Sequence, residues 1–383
     1  MSKLRVFEAF AGVGTQSMAL KRLGVDYEVV GIAEIDKFAI QSYMAIHGET
    51  KNYGDISKID PTELPDMDLF TYSFPCQDLS ISGKQRGMSE GTRSGLLYEC
   101  EKVITTKRPK YLLLENVKNL VGKKFKPDFD RWLEWLKSQG YRNYWKVLNA
   151  KDYGVPQNRE RVFVVSILGE ETYEFPDPFP LEVKLKDSLE DEVDEKYYLN
   201  TLPRIVTEHN SDAILRKERT EYGKQVRKQY EAGEFYDKRS NMTELKPRKD
   251  EISNTITTVQ KDNLLYEVRV KEATKIGYKV AEEGDSINLE HPNSTTRPLR
   301  VGKQVAQALT TSPQQATLIN YRIRRLTPLE CWRLMGIADE DFYKAKAVEI
   351  SDSQLYKQAG NAIVVDVLVS IFGNLFNTTE ETN

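Results

Sequence analysis

Cys76 stands in the string Ser73-Phe74-Pro75-Cys76-Gln77, and little else in the 383-residue chain has the makings of a nucleophile. A free thiol has a pKa of about 8.5, so a reactive cysteine needs surroundings that favour the thiolate. Taken alone, a single cysteine reads as readily as a buried structural residue. Glu115, in Glu115-Asn116-Val117, offers a carboxyl group that can donate a proton to a ring attacked by a thiol. By itself it is equally a loop or helix-capping acid. Arg159 and Arg161 are two apart in Gln157-Asn158-Arg159-Glu160-Arg161. On extended backbone they point the same way and can meet one anionic or carbonyl-bearing ligand. Surface charge is the plain alternative.

A second group of residues suits a nucleoside. Phe10-Ala11-Gly12-Val13-Gly14 closes an apolar run, and glycines there let backbone approach a cofactor. Ser17 stands where a full dinucleotide fingerprint would have its third glycine. Glu34 ends Gly31-Ile32-Ala33-Glu34, where a carboxylate can accept both hydroxyls of a ribose. Asp55, in Gly54-Asp55-Ile56, is placed to face an adenine amine. Any one of these is a generic turn or a surface acid, but three in this order favour a nucleoside cofactor.

The elements that must hold these residues alternate. Strands are expected over residues 4–10, 27–33, 68–73, 111–115, 144–149 and 161–168. Helices are expected over 15–23, 37–47 and 129–139, the last with Trp132 and Trp135 on or near its core face. That rhythm predicts a mostly parallel sheet. Phe175-Pro176-Asp177-Pro178-Phe179-Pro180 breaks it and marks a domain boundary. From about 185 to 318 the pattern is short, polar and loop-rich, with similar strings at 254–258 and 307–311. Helical patterns return at 328–335 and 358–376. The domains are therefore taken as 1–184, 185–318 and a returning segment, 319–383.

Composition narrows the class. The chain is 39% hydrophobic and 30% charged, as in a soluble globular protein, and no apolar run approaches a membrane span. The first residues lead straight into a strand pattern, so no signal peptide is expected. Three unpaired-looking cysteines argue for a reducing compartment, and three scattered histidines argue against a metal site. Net charge is −3, but residues 201–330 carry 23 Lys and Arg against 18 Asp and Glu, while the rest carry 32 against 40. A basic segment on an acidic body is compatible with DNA contact.

Taken together and in this order, the strings around Phe10, Glu34, Cys76, Glu115 and Arg161 resemble the DNA (cytosine-5) methyltransferases. So do Arg324, Leu326-Thr327-Pro328, Glu330 and Gln358-Ala359-Gly360-Asn361-Ala362. The resemblance covers residues 4–170 and 321–375. It implies an α/β fold: a Rossmann-like S-adenosylmethionine-dependent methyltransferase sheet with helices on both faces, plus a smaller, loop-rich, mostly β target-recognition domain. It implies S-adenosylmethionine, leaving as S-adenosylhomocysteine, over Phe10, Gly12, Val13 and Gly14, with its ribose on Glu34. Ile35, Asp55, Ile56, Pro75, Leu96, Asn361, Ala362 and Ile363 would complete that pocket. Cys76 would attack C6 of a flipped-out cytosine, Glu115 would serve N3, and Arg161, with Arg159 beside it, would hold O2.

The partner implied is double-stranded DNA. Gln77, Ser80, Ser82, Lys84 and Arg86 lie on a polar, glycine-hinged loop that would close over it, with Ser82 entering the vacated stack. In the variable region, Thr257, Thr258, Arg297, Arg300, Thr310 and Thr311 suit phosphates or base edges. Ala362 stands where Ser is usual, Ile363 replaces Val, and Thr15 replaces a frequent Gly. A monomer in the bacterial cytoplasm or nucleoid is expected, of bacterial or phage type, with a restriction endonuclease as a possible genetic partner and no metal. The rival readings are an RNA cytosine-5 methyltransferase of the tRNA-acting kind, a non-catalytic DNA-binding relative, and a nicotinamide oxidoreductase resting on the Gly-x-Gly turn alone.

Overall fold

The computed structural model describes residues 3–74, 96–197, 205–208, 215–219, 222, 224–226, 243–247, 267–272, 278–282, 284–289, 299–311, 315–319 and 322–376. The chain packs as two units. The first comprises Met1–Tyr197, Gln304–Gln314 and Leu326–Asn383, the second Tyr198–Lys303 and Gln315–Arg325.

The first unit is built on β1 (Leu4–Ala9), β2 (Tyr27–Ala33), β3 (Leu69–Tyr72), β4 (Tyr111–Val117), β5 (Tyr141–Asn149), the two-residue β6 (Gln157–Asn158) and β7 (Glu160–Leu168). Six of them form one sheet in the order β2-β1-β3-β4-β7-β5. β2, β1, β3 and β4 are mutually parallel, and β7 runs against both β4 and β5. A sheet covered on both faces needs apolar side chains in both directions along each strand. Val6, Leu69, Leu113 and Val165 accordingly enter one core, and their neighbours Phe7, Phe70, Leu112 and Val164 enter the other.

Four helices follow the early strands: α1 (Thr15–Arg22), α2 (Lys37–His47), α3 (Leu97–Lys107) and α4 (Lys126–Ser138). α3 and α4 cover one face, with Trp132 buried and Trp135 stacked on it at 4.7 Å. The other face takes α1 together with α5 (Pro328–Arg333), α6 (Asp339–Ala347), α7 (Asp352–Asn361) and α8 (Val365–Phe376). Local sequence fixes where these helices start. Asp36 caps α2 by accepting from the amides of Phe38 and Ala39, which satisfies donors a helix start leaves orphaned. Thr327 and Glu330 form a reciprocal capping box before α5.

The helix expected over 358–376 is two helices. Ala362 is extended (φ −68°, ψ 156°) and ends α7 before α8 begins at Val365. The whole stretch Asp352–Phe376 has the length and apolarity of a membrane span. It is broken in the middle, however, and Leu355, Val365, Leu368, Ile371 and Phe372 are fully buried in the first unit's core.

In the second unit the described residues form β8 (Ile205–Glu208), β9 (Leu215–Arg219), β10 (Thr243–Pro247), β11 (Glu267–Lys271), β12 (Tyr278–Ala281), β13 (Ser286–Asn288) and β14 (Arg300–Gly302). β15 (Ala306–Gln307) belongs to the first unit, where it pairs in parallel with β6; β16 (Gln315–Ile319) and β17 (Arg322–Arg325) return to the second. The strands make sheets in the orders β12-β11-β8, β14-β13-β16-β17 and β10-β9. Val270, Ile287, Leu299, Val301, Ala316 and Leu318 are among the residues of a small separate core. Residues 254–258 lie outside the described residues.

These boundaries differ from the expected continuous insert at 185–318. Leu185, Ala306 and Leu309 are buried in the first unit's core, and the amide of Leu185 donates to the Gln304 carbonyl at 2.8 Å. Few apolar side chains in a polar stretch were enough to hold both segments there.

Candidate functional site

At the carboxyl ends of β1 to β4 the first unit encloses a cavity of about 480 Å³, a size suited to a small-molecule ligand. A larger hollow of about 720 Å³ lies along Tyr98, Glu101, Lys102, Thr105 and Thr106 of α3. Among the described residues it is a surface groove lined by one helix alone.

The cavity's first wall is the turn after β1. Phe10 (φ +56°), Gly12 (φ +57°) and Gly14 (φ +78°) are all left-handed, a conformation that costs an ordinary residue such as Phe10 about 1–2 kcal/mol. Glu34 holds the turn to the end of β2. Its Oε2 accepts from the Gly12 amide at 2.9 Å, and its Oε1 from the amides of Ile35 and Asp36 at 2.8 Å each. A carboxylate has about four acceptor positions. Three backbone donors therefore leave one for a ligand diol, where the sequence reading has both hydroxyls accepted. Asp55 points its carboxylate at the Ser57 amide and hydroxyl, 3.0 and 2.8 Å away, and also lines the cavity with Ile56.

Gly14 plays a different part. A Cβ there would lie 2.4 Å from His47 Nε2 and 2.6 Å from Tyr43, and Gly14 does not line the cavity. Beneath it is a buried polar chain. Glu8 Oε1 accepts from the Ser17 amide and hydroxyl (3.0 and 2.8 Å), and its Oε2 from the Tyr43 hydroxyl at 2.9 Å. The Tyr43 ring lies 4.6 Å from that of His47, whose Nε2 bonds the Val13 carbonyl at 3.0 Å. Burial raises the Glu8 carboxyl to about 7, against the pull of its Ser17 and Tyr43 hydrogen bonds.

The opposite wall carries the chemistry. Parallel pairing of β3 with β4 brings their ends to one sheet edge, and Asn116 Nδ2 donates to the Phe74 carbonyl at 3.0 Å. Glu115 is buried, with Oε1 3.2 Å from Arg161 Nε. Burial raises its pKa, while the charges of Arg161 and Arg159 pull it down. The site thus sets a buried carboxyl, its pKa raised, beside a guanidinium at the cavity wall. Arg159 is 4% exposed. Its Nη1 donates to the Leu309 carbonyl and its Nη2 to those of Gly360 and Ala362, each at 2.9 Å. Cys100 and Cys331 are buried, and burial pushes both thiols up, away from thiolate chemistry. Among the described residues no group of three or more His, Cys, Asp or Glu side chains is arranged to hold a metal ion.

The sequence profile of one family, described as C-5 cytosine-specific DNA methylase, matches residues 4–377. The chain belongs to that family. The methylase is 36% identical to type II methyltransferase M2.ScrFI of Lactococcus lactis subsp. cremoris, over 98% of its own length and 99% of the relative's. It is 33% identical to the orphan methyltransferase M.SPRI of Bacillus phage SPR, over 99% and 98%. Among solved structures, Entamoeba histolytica methyltransferase EhMeth superposes with a TM-score of 0.59 at 15% identity, over 98% and 99% of the two chains. A putative DNA modification methyltransferase encoded within an E. coli prophage gives 0.58 at 20%, over 98% and 99%. The mixed six-stranded sheet with helices on both faces is thus the α/β methyltransferase fold.

In the methylase, Phe10, Gly12, Val13, Glu34, Ile35, Asp55, Ile56, Leu96, Glu115, Arg159, Arg161, Asn361, Ala362 and Ile363 all line the one cavity. Arg159 lines the cavity beside Arg161 and also bonds the backbone carbonyls of Leu309, Gly360 and Ala362 through Nη1 and Nη2. Thr310 and Thr311, expected in the recognition domain, are exposed residues of the first unit, whereas Arg300 is exposed on β14 of the second. Pro75, Cys76, Gln77, Ser80, Ser82, Lys84, Arg86, Thr257, Thr258 and Arg297 lie outside the described residues. Sequence reasoning missed Thr15, Gln16, Ser73, Lys357 and Gln358 in the lining, and the Glu8 chain beneath it. Ser73 and Gln358 open strings already singled out in the sequence, and Glu8 is an acid beside Phe7 in a largely apolar strand.

Proposed function

We propose that the chain methylates C5 of cytosine in double-stranded DNA with S-adenosylmethionine as donor, through a flipped-out base and a covalent bond from Cys76 to C6. The observation that carries this is convergence. The Gly12–Glu34 loop pair and the Glu115–Arg161 ion pair open on one cavity, and Cys76 follows Phe74 by two residues in sequence.

The residues present fit the cofactor. Phe10, Ile35, Ile56 and Leu96 offer apolar surface for a purine, Glu34 keeps one acceptor for its ribose, and Gly12 leaves open space where a side chain would sit. S-adenosylmethionine, when bound, supplies an electrophilic methyl group. The Cys76 thiolate adds to C6 while Glu115 gives its proton to N3 and Arg161 holds O2. C5 then has the enamine character needed to take a methyl group. Loss of the C5 proton to solvent with departure of the Cys76 thiolate, and return of the N3 proton to Glu115, restores the neutral aromatic ring. Extruding the base costs a few kcal/mol, and the loop at 80–87 is the segment we assign to closing over the gap.

The second unit, with Arg300 exposed on a strand, is assigned to target recognition, and the relatives support a modification enzyme of bacterial or phage kind acting in the cytoplasm. The chain is taken to work as a monomer, with a cognate endonuclease as possible genetic partner. The test is bisulfite sequencing of an unmethylated plasmid incubated with S-adenosylmethionine and either the protein or Cys76→Ala. Protected cytosines in one short context, lost in the variant, are expected. No protection by the intact protein sinks the duplex-DNA reading, and methylation of a tRNA pool instead would replace it.

A further inference from the structure

Arg159 joins three pieces of chain. Besides its bonds to the carbonyls of Leu309, Gly360 and Ala362, it sits on a segment that grips the same strap elsewhere. Gln157 Oε1 accepts from the Leu309 amide at 3.0 Å, the Ala306 amide donates to the Pro156 carbonyl at 2.7 Å, and β6 pairs with β15. Gly360 completes the joint: a Cβ there would lie 2.3 Å from the carbonyl carbon and oxygen of Thr310. The strap at 304–311 and the break between α7 and α8 are therefore in backbone contact, with one buried guanidinium bonded to both. Asn361, Ala362 and Ile363 of that break form the cavity wall. The strap's flanking residue 303 and its continuation at 315 belong to the second unit.

We propose that Arg159 is a positioning residue that pins the strap to the cofactor wall, so that engagement of DNA by the second unit and occupancy of the cofactor site are thermodynamically coupled. The planar fork of a guanidinium suits this work, because its donors diverge in fixed directions toward several acceptors. Coupling of this kind is reciprocal: whatever DNA does to cofactor affinity, the cofactor does to DNA affinity. The inference rests on the reading of the cavity as the cofactor site.

The test measures binding of S-adenosylhomocysteine to the full chain by titration calorimetry, with and without saturating unmethylated plasmid DNA. Wild type is expected to bind more tightly with DNA present. Arg159→Met is expected to weaken binding about tenfold, the worth of one charge-assisted bond, and to lose the DNA effect, with KM for S-adenosylmethionine rising by a larger factor than kcat falls. Arg159→Lys keeps the charge but not the fork and is expected to resemble Met. Gly360→Ala disturbs the same joint from the other side without altering Arg159, and is expected to give the same phenotype. Combined with Arg159→Met it should add little, as for two changes in one joint. Thermal melts of all four variants establish that they fold.

Unchanged homocysteine-adduct affinity in folded Arg159→Met or Gly360→Ala overturns the proposal. So does full rescue by Lys, which would make the role one of charge alone, or a wild type indifferent to DNA. A collapse of kcat with binding intact would place Arg159 on the base instead. If wild type binds no S-adenosylhomocysteine at all, it is the functional reading that fails.

Discussion

In the resting protein Glu115 and Arg161 are each other's partner, at 3.2 Å. In the proposed reaction the carboxyl serves N3 and the guanidinium O2, neighbouring positions on one edge of the ring, so the two side chains can face the base while staying side by side. Burial is the largest influence on Glu115 and raises its pKa, which favours the acid form that the proposed reaction calls for. Methyl transfer is therefore expected to fall as pH rises through that raised pKa, and Glu115→Gln should lose this limb. The same variant should lower kcat by about 10²–10⁴-fold with S-adenosylhomocysteine affinity little changed, as read by tritiated methyl transfer and calorimetry. Glu8 makes a separate prediction. Its carboxyl rises from 4.5 to about 7 on folding, so the folded state holds the proton more tightly. The associated stability is complete below about 4.5 and is lost as pH climbs through 7. Glu8→Gln keeps the shape without the titration. Between pH 5 and pH 8 the wild type should lose up to about 3 kcal/mol relative to it, measurable by urea unfolding at each pH.

The turn between β1 and α1 separates two uses of glycine. At Gly14 a side chain meets His47 and Tyr43, whereas at Gly12 it meets nothing within 4 Å. Gly14→Ala is expected to lower Tm by roughly 5–10 °C, the strain of an αL residue plus a clash. Gly12→Ala should melt closer to wild type yet bind S-adenosylhomocysteine more weakly, because its methyl group enters the cavity. Differential scanning calorimetry and a binding titration distinguish the two. Some elements were legible in sequence: β2 and α2 have the expected ends, because a short apolar run closed by Glu34 and the helical pattern after it are local signals. The break at Ala362 was not. Residues 358–376 are apolar enough to continue as one helix, and what stands at the interruption is Arg159, some two hundred positions away, taking carbonyls the helix would otherwise use. Thr310 and Thr311 were placed in the insert for the same reason. Their neighbours are polar, and only burial of Ala306 and Leu309 shows which unit holds them.

At the scale of the molecule, reading and chemistry are assigned to different units, so they should be separable. Replacing residues 198–303 with the matching segment of the Lactococcus relative, while keeping the strap, is expected to change the protected sequence in bisulfite reads and leave S-adenosylhomocysteine affinity within about threefold. A chimaera that folds and keeps the original target would refute that division. The first unit is itself discontinuous, and this has a bearing on how the protein comes into being. α1 packs against α8, the Tyr173 hydroxyl reaches the Ile371 carbonyl, and Lys357, Gln358 and residues 360–363 line the same cavity as the turn at 10–13. At roughly 5–20 residues per second of synthesis, the ribosome delivers that wall on the order of 20–70 seconds after the turn it faces. Until then the nascent sheet exposes one apolar face and has no complete cofactor site. A chain stopped before residue 357 is therefore expected to lack both part of that cavity and the cover of one sheet face.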